Sequence, residues 1–76
     1  MANKVLTSLE NAHGDYCVDL FLREDGSFGF EEYRRDPEEG RWRCLRRYAG
    51  RVFRSEQEAE AQARAYVPWL AAMPGR

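Results

Sequence analysis

Chemically reactive residues are few in this sequence, and long apolar runs are missing. It contains two cysteines and one histidine. Two cysteines are too few for the disulfide framework that stabilises small secreted domains. The first residues, MANKVLTSLEN, lack the continuous apolar core of a signal peptide, and no run approaches the roughly 18 to 20 apolar residues that a membrane span needs. We therefore expect a cytoplasmic protein with free thiols and no membrane association.

Motifs that carry catalysis or metal binding are also missing. The sequence has no C-x-x-C or H-x-x-x-H pair, no G-x-S-x-G and no phosphate-binding glycine loop. His13 is the single candidate base, and Cys17 and Cys44 fall on strands expected to flank a third, as half-buried structural thiols. Glu31 and Glu32 point to opposite faces of a strand and so do not form an acid/base dyad. We expect a non-catalytic protein with no metal and no cofactor.

The composition is that of one small folded domain spanning residues 1–76. Hydrophobic residues make up 43% of the chain and charged residues 33%, and the net charge is −1. The charge is nevertheless segregated: residues 1–33 carry a net charge of −5, whereas residues 34–54 carry +5. A protein attracted to polyanions over its whole surface is therefore not expected.

Alternating apolar residues predict a meander of strands in residues 15–54. "YCVDLFLR" alternates strictly and runs into Asp25-Gly26, a strong hairpin signal. The return strand "SFGFEEYRR" changes parity, so it either contains a bulge near Glu31-Glu32 or uses both faces. After the turn "DPEEG", "RWRCLRRY" predicts a third strand over residues 41–48. Residues 1–14 fit a strand or a helix, and we favour an extended segment pairing with residues 15–23.

The C-terminal part predicts a helix over residues 55–73. Ser55 and Glu58 form a capping box, and apolar residues then follow one helical face: Ala59, Ala63, Tyr66, Val67 and Leu70. Pro68 either kinks this helix or stops it and begins a new turn as its first residue. Pro74-Gly75 is expected to end it.

Together these elements predict an α+β fold, an antiparallel three- or four-stranded meander with one C-terminal helix packed on one face. The small side chains of Ala59 and Ala63 would let the helix approach the sheet closely. One helix can cover only one face, so the other face must meet solvent or a partner.

The segment "RWRCLRRYAGRVFR", residues 41–54, holds six arginines interleaved with aromatic residues. This pattern is typical of a nucleic-acid surface, in which Arg41, Arg43 and Arg47 would neutralise phosphates beside a stacking aromatic ring. In a meander, however, the segment lies beside Glu31 and Glu32, which can pair with Arg43, Arg46 or Arg47. We expect internally paired charge, with contact to an acidic protein or to a second copy as further alternatives.

A second candidate surface surrounds Phe21. Its parity places it opposite the apolar face of its strand, so with Arg23 and either Phe28 or Phe30 it would form an exposed apolar patch rimmed by charge. The alternative is that the N-terminal segment covers it.

The stretch "DGSFGFEEYRRDPE", followed by "GRVFRSEQEA" and "YVPWL", resembles the short stand-alone bacterial proteins of unknown function. The resemblance implies no activity, cofactor or site residue. The expected function is therefore that of a small interaction domain, monomeric or weakly dimeric, with Phe21, Arg23, Arg41, Arg43 and Arg47 as candidate partner surface. Weak nucleic-acid binding through residues 41–54 is the alternative.

Overall fold

The computed structural model of the protein describes residues 3–73, which form one small α+β domain. The elements in chain order are β1 (Lys4–Glu10), β2 (Tyr16–Leu22), β3 (Phe28–Arg35), β4 (Trp42–Cys44), α1 (Glu56–Tyr66) and α2 (Pro68–Ala71). The four strands make one antiparallel sheet in the order β1-β2-β3-β4. This confirms the predicted α+β meander with a C-terminal helix.

The N-terminal segment is a strand, which decides between the two alternatives that its sequence left open. β1 pairs with β2 along its whole length, from Lys4 to Glu10. A register shift between Val5 and Thr7 leaves one extra residue in β1, as in a β-bulge. The bulge therefore lies in an edge strand and not, as one alternative had it, near Glu31-Glu32.

β2 and β3 form the predicted hairpin. Gly26 turns the chain with a φ of 89°, and the Asp25 carboxylate accepts the backbone N–H of Ser27 at 2.9 Å. The pairing of the two strands continues without a shift in register. β3 therefore uses both faces of the sheet, and the change of parity in its sequence reflects Glu31 and Glu32 being buried on opposite sides.

The third predicted strand is much shorter than expected, because β4 ends at Cys44 instead of near residue 48. The last ladder bond runs from the Leu45 N–H to the Glu32 carbonyl at 2.9 Å, and Arg46 then takes a positive φ of 55°. Residues 46–52 leave the sheet, and Phe53 returns to pair with Phe28. The edge of β3 is thus covered by a loop where a strand was predicted.

The helical segment begins as predicted and breaks at Pro68. The Ser55 hydroxyl accepts the Glu58 N–H at 3.0 Å, while the Glu58 carboxylate accepts the N–H of Arg54, one residue before the cap. α1 ends before Val67, and α2 begins with Pro68 at its first position. Of the two alternatives for Pro68, the stop followed by a new turn is the one observed. Pro74-Gly75 lies outside the described residues.

The core lies between the helices and one face of the sheet. Val18, Leu20 and Phe30 of β2 and β3 are fully buried, and they pack against four equally buried residues of the C-terminal segment, namely Ala59 and Ala63 of α1, Val67 between the helices and Leu70 of α2. The alanines allow α1 to lie close to β2 and β3, as expected. Tyr66, which was expected on the same apolar face, is instead 43% exposed.

None of the helices in residues 3–73 has both the length and the apolar character that a membrane crossing requires.

Candidate functional site

The face of the sheet away from the helices, called the open face below, carries mostly polar and aromatic side chains. Residues that lie directly opposite each other in neighbouring strands share a face, so the register assigns its members. They are Val5, Ser8 and Glu10 of β1, Cys17, Asp19 and Phe21 of β2, Gly29, Glu31, Tyr33 and Arg35 of β3, and Trp42 and Cys44 of β4. Two regions of this face differ in how much of the chain covers them.

At the end nearest the β2–β3 hairpin, the open face is covered by other parts of the same chain. Phe21 is only 6% exposed, because the Arg23 guanidinium lies 5.0 Å from its ring centroid and Gly29 leaves room beside it. A Cβ atom on Gly29 would come within 2.8 Å of the Phe21 ring and 2.6 Å of the Arg23 guanidinium. The predicted exposure of Phe21 is therefore wrong. Arg23 lies over the ring, and the N-terminal segment, which the alternative proposed as the cover, lies directly beside it with Val5 as its cross-strand partner.

Arg23 does not form the rim of an open patch, because its guanidinium is used inside the fold. It donates hydrogen bonds to the carbonyl oxygens of Phe28 at 3.1 Å, Ala49 at 2.9 Å and Arg51 at 2.9 Å. The planar fork of an arginine suits several acceptors at once. Arg23 therefore fastens the loop after β4 to the sheet.

Glu31 holds the same loop, because its carboxylate accepts hydrogen bonds from the backbone N–H groups of that loop. Its carboxylate is only 3% exposed and accepts hydrogen bonds from the backbone of Glu32 at 2.8 Å, Arg47 at 3.0 Å and Tyr48 at 3.0 Å. Three N–H donors compensate the loss of hydration that burial imposes on this side chain. Glu31 thus meets the backbone of the arginine segment and not its guanidinium groups.

At the opposite end of the open face lies a pocket of about 300 Å³. It is lined by six side chains from all four strands, namely Ser8, Glu10, Cys17, Asp19, Tyr33 and Trp42. Trp42 is 39% exposed, an unusual position for an indole ring on a sheet face. The pocket therefore combines aromatic walls with two carboxylates.

Polar groups of the pocket form hydrogen bonds with one another, but the negative charge of its carboxylates is not neutralised by an ion pair among the described residues. Asp19 accepts hydrogen bonds from the Ser8 hydroxyl at 2.6 Å and from the Cys17 thiol at 3.3 Å. No salt bridge within residues 3–73 involves Asp19 or Glu10. Two carboxylates thus share one face with no cation paired to either of them.

Two groups that line the pocket, the Cys17 thiol and the Tyr33 phenol, have raised pKa values. Burial, with the carboxylates of Asp19 and Glu10 nearby, raises the pKa of the Cys17 thiol from its ordinary value of 9.0 to about 12. Burial also raises the pKa of Tyr33, with contributions from Cys44 and Asp19. Both groups stay protonated at neutral pH, so the pocket disfavours further negative charge.

The arginine-rich segment is partly neutralised inside the fold. Arg47 forms an ion pair with the buried carboxylate of Glu32 at 3.5 Å, which confirms one of the expected pairs. Arg43 instead pairs with Asp36 at 3.4 Å, and the register places it opposite Arg34. The expected contact of Arg43 with Glu31 or Glu32 is wrong, because the register places Arg43 beside Arg34, which lies beyond both acids along β3.

The other arginines divide between ring contacts and open exposure. Arg51 lies 4.1 Å from the Tyr66 ring centroid, and Arg35 lies 5.3 Å from that of Trp42. Three further arginines are exposed and have no ion pair within the described part of the chain, namely Arg41, Arg46 and Arg54. These free charges are fewer than the six of the segment, so they form a smaller basic surface than the sequence offers.

The Glu32 carboxylate also ties the sheet to the C-terminal helix. Its Oε2 atom accepts a hydrogen bond from the Trp69 indole N–H at 2.8 Å, while Oε1 has no hydrogen-bond donor and meets only the ion pair with Arg47. This group is buried among partners of its own chain, so it belongs to the fold and not to a binding surface.

The candidate metal ligands and the candidate base are separated. Cys17 and Cys44 lie on either side of Tyr33, and Cys44 is exposed where a half-buried thiol was expected. His13 lies exposed in the turn between β1 and β2. Within residues 3–73, no three His, Cys, Asp or Glu side chains come together as a metal site.

Comparisons of the chain with protein-family models, with curated proteins and with solved structures find no match. Function must therefore be argued from the chemistry of the site. The pocket was missed at the level of sequence, although its residues occupy alternate positions of their strands. The sequence signal for the pocket was the alternation of β2, which places the polar side chains of Cys17 and Asp19 on the same face as Phe21.

Proposed function

We propose that this protein is a small non-catalytic interaction domain that binds a protein partner on the open face of its sheet. The observation that carries the proposal is the pocket between β1 and β4. It joins the exposed ring of Trp42 to the carboxylates of Glu10 and Asp19, which have no ion pair in the described chain. Aromatic anchors beside satisfiable charges are typical of recognition surfaces.

The state of the reactive groups supports a non-catalytic role. The Cys17 thiol is buried and has a pKa near 12, so it offers almost no thiolate at neutral pH. The His13 side chain is exposed in a turn and has no hydrogen-bond partner within residues 3–73. The exposed thiol of Cys44 supports a reducing, cytoplasmic compartment as part of the same proposal.

Photo-crosslinking tests the proposed surface in cells that naturally produce the protein. A benzophenone amino acid at position 44, an exposed position of the open face beside the pocket, should yield a defined crosslinked partner. The same group at Gln57, an exposed position on α1, should not. The partner, once identified and purified, should bind the native protein and lose affinity for a Trp42→Ala variant. Equal crosslinking from both positions, or none from position 44, would contradict the proposal.

Weak nucleic-acid binding is the second candidate, supported by the exposed side chains of Arg41, Arg46 and Arg54. Two of the residues first expected to bind phosphate, Arg43 and Arg47, are instead paired with carboxylates. Titration of oligonucleotides at about 50 mM and at higher salt decides the matter. Phosphate-driven binding must weaken steeply as salt rises, and an absence of binding at the lower salt concentration excludes this candidate.

A further inference from the structure

We infer that the group which enters the open-face pocket is the guanidinium of an arginine side chain on the protein partner. This inference rests on the proposed function and names the chemistry that its site recognises. The pocket, of about 300 Å³, has room for a single side chain and not for a folded segment. Three features of its lining favour arginine.

The first feature is uncompensated negative charge. Glu10 and Asp19 project from neighbouring strands on the same face, in adjacent positions of the register. Neither forms a salt bridge within residues 3–73. The third carboxylate of the face, Glu31, is fully engaged by backbone N–H groups. An incoming cation would therefore relieve the repulsion between two carboxylates and break no existing ion pair.

The second feature is an aromatic surface that already takes a guanidinium. The Arg35 side chain lies over the Trp42 ring, 5.3 Å from its centroid, and the ring remains 39% exposed. Guanidinium groups stack on indole rings more readily than ammonium groups do, and their fork also matches a carboxylate. Arg35 thus competes with the partner's arginine, because it occupies the Trp42 ring and because its positive charge repels a second guanidinium.

The third feature is the negative charge that an anionic ligand would meet. After burial, which is the main cause, the Asp19 carboxylate contributes to the raised pKa values of both the Cys17 thiol and the Tyr33 phenol. A phosphate or carboxylate ligand would add negative charge beside Glu10 and Asp19. The pocket therefore selects cations over anions, which separates it from the arginine surface on β4 and the loop that follows.

The inference is tested with a blocked Gly-Arg-Gly-Arg-Gly peptide and its citrulline counterpart, in which each guanidinium is replaced by a neutral urea. The full chain, labelled with ¹⁵N, is titrated with each peptide and followed by NMR. The arginine peptide should shift the amide signals of Ser8, Asp19 and Tyr33 and the indole signal of Trp42. The citrulline peptide should leave these signals unchanged at the same concentration.

Three variants, each of which removes one charge, test whether the affinity for the arginine peptide falls, rises or stays the same as the inference requires. Glu10→Gln should weaken binding of the arginine peptide about two- to fivefold, as expected for one exposed ion pair. Arg35→Gln should strengthen it by a similar factor, because a competing guanidinium is removed. Glu24→Gln makes the same charge change as Glu10→Gln in the exposed hairpin turn, and it should leave the affinity unchanged.

The failure of this inference can be told apart from the failure of the proposed function. Equal shifts by both peptides, shifts elsewhere, or no shift with the arginine peptide would overturn the inference, while crosslinks from position 44 would still support the proposed function. Sedimentation of the free protein adds one more outcome. A concentration-dependent dimer that is lost in Glu10→Gln would overturn the separate partner and make a second copy the occupant.

Discussion

The helix-covered face and the open face of the sheet are made from alternate residues of the same strands, but their interactions differ in kind. On the covered face, Val18, Leu20 and Phe30 are fully buried beneath the helices. On the open face, Asp19 and Tyr33 line a pocket, and the buried Glu31 carboxylate accepts hydrogen bonds from three backbone N–H groups. Apolar burial stabilises the first face, whereas hydrogen bonds and charge organise the second.

The comparison also explains why the open face can carry function. A domain of this size buries roughly 60% of its unfolded surface and has a free energy of unfolding of only a few kcal/mol. The covered face supplies most of that burial through a single apolar cluster. Side chains of the open-face pocket are therefore free to be polar, exposed and unpaired. Substitutions on each face test this contrast, and they are given from the largest expected effect to the smallest.

The largest effect is expected from truncating the centre of the covered face. Phe30 is fully buried, with its ring 4.9 Å from that of Tyr48 and 5.7 Å from that of Phe53. Phe30→Ala should lower the free energy of unfolding by about 3–5 kcal/mol, enough to unfold most of the protein at 25 °C. Urea unfolding followed by circular dichroism measures this.

Val5→Ala is the control for that measurement, because Val5 is 52% exposed on an edge strand. It should change the free energy of unfolding by less than about 0.5 kcal/mol. A loss of similar size in both variants would mean that stability is not concentrated on the covered face.

A smaller loss is expected from filling the space that Gly29 leaves on the open face. Gly29→Ala places a methyl group 2.6 Å from the Arg23 guanidinium and 2.8 Å from the Phe21 ring, and we expect a cost of about 1–3 kcal/mol from this overpacking. Because Arg23 must move, the carbonyl groups of the loop lose their donor. Hydrogen exchange at the paired amides of Phe28 and Phe53 should accelerate.

A double-mutant cycle sharpens this result. In an Arg23→Ala background the main obstruction is gone, so Gly29→Ala should cost clearly less than in the native chain. An equal cost in the two backgrounds would mean that the Arg23 side chain does not cover this part of the sheet.

A loss of similar or smaller size is expected from neutralising Glu31. The Glu31→Gln variant keeps one acceptor oxygen but cannot accept all three N–H groups that the carboxylate binds. Leaving a buried donor unpaired costs about 1–3 kcal/mol. Thermal unfolding should show the loss, with Glu24→Gln as a matched control in an exposed turn. No difference between the two variants would contradict the bonding of the loop by Glu31.

The smallest effect at neutral pH is expected from the thiols. The pKa of Cys17 is raised in the folded state to about 12, from an ordinary value of 9.0. Its contribution to stability is therefore fully present below about pH 9 and is lost as the pH rises towards 12. At about pH 8, iodoacetamide should modify the exposed Cys44 and spare Cys17, as mass spectrometry would show. Modification of both at equal rates would contradict the burial of Cys17.

Local sequence signals predicted the parts of this fold that depend on neighbouring residues. The Asp25-Gly26 hairpin, the Ser55 cap and the new helical turn at Pro68 are each set by a few consecutive side chains. The short β4 could not be predicted in the same way. Its length depends on Glu31, whose carboxylate competes with strand pairing for the N–H groups of residues 47 and 48, which lie 16 and 17 positions later in the chain.

The same limit applies to the candidate site. Phe21 has the parity of an exposed residue, and its burial arises only because Arg23 folds back over its ring to reach carbonyl groups 26 and 28 positions away. The pocket joins side chains from four strands, so no single segment carries its signature. Its most informative residue, Trp42, lies in the segment "RWRCLRRYAGRVFR", whose interleaved arginines and aromatic residues indicate a nucleic-acid surface and not a pocket.

One doubly substituted variant tests most directly whether stability and recognition are separated between the two faces. Glu10→Gln combined with Asp19→Asn removes both pocket charges and keeps an oxygen acceptor for the Ser8 hydroxyl. We predict that its free energy of unfolding stays within about 1 kcal/mol of the native value, while its affinity for the arginine peptide falls about tenfold or more. Unchanged affinity, or a loss of several kcal/mol in stability, would contradict the account.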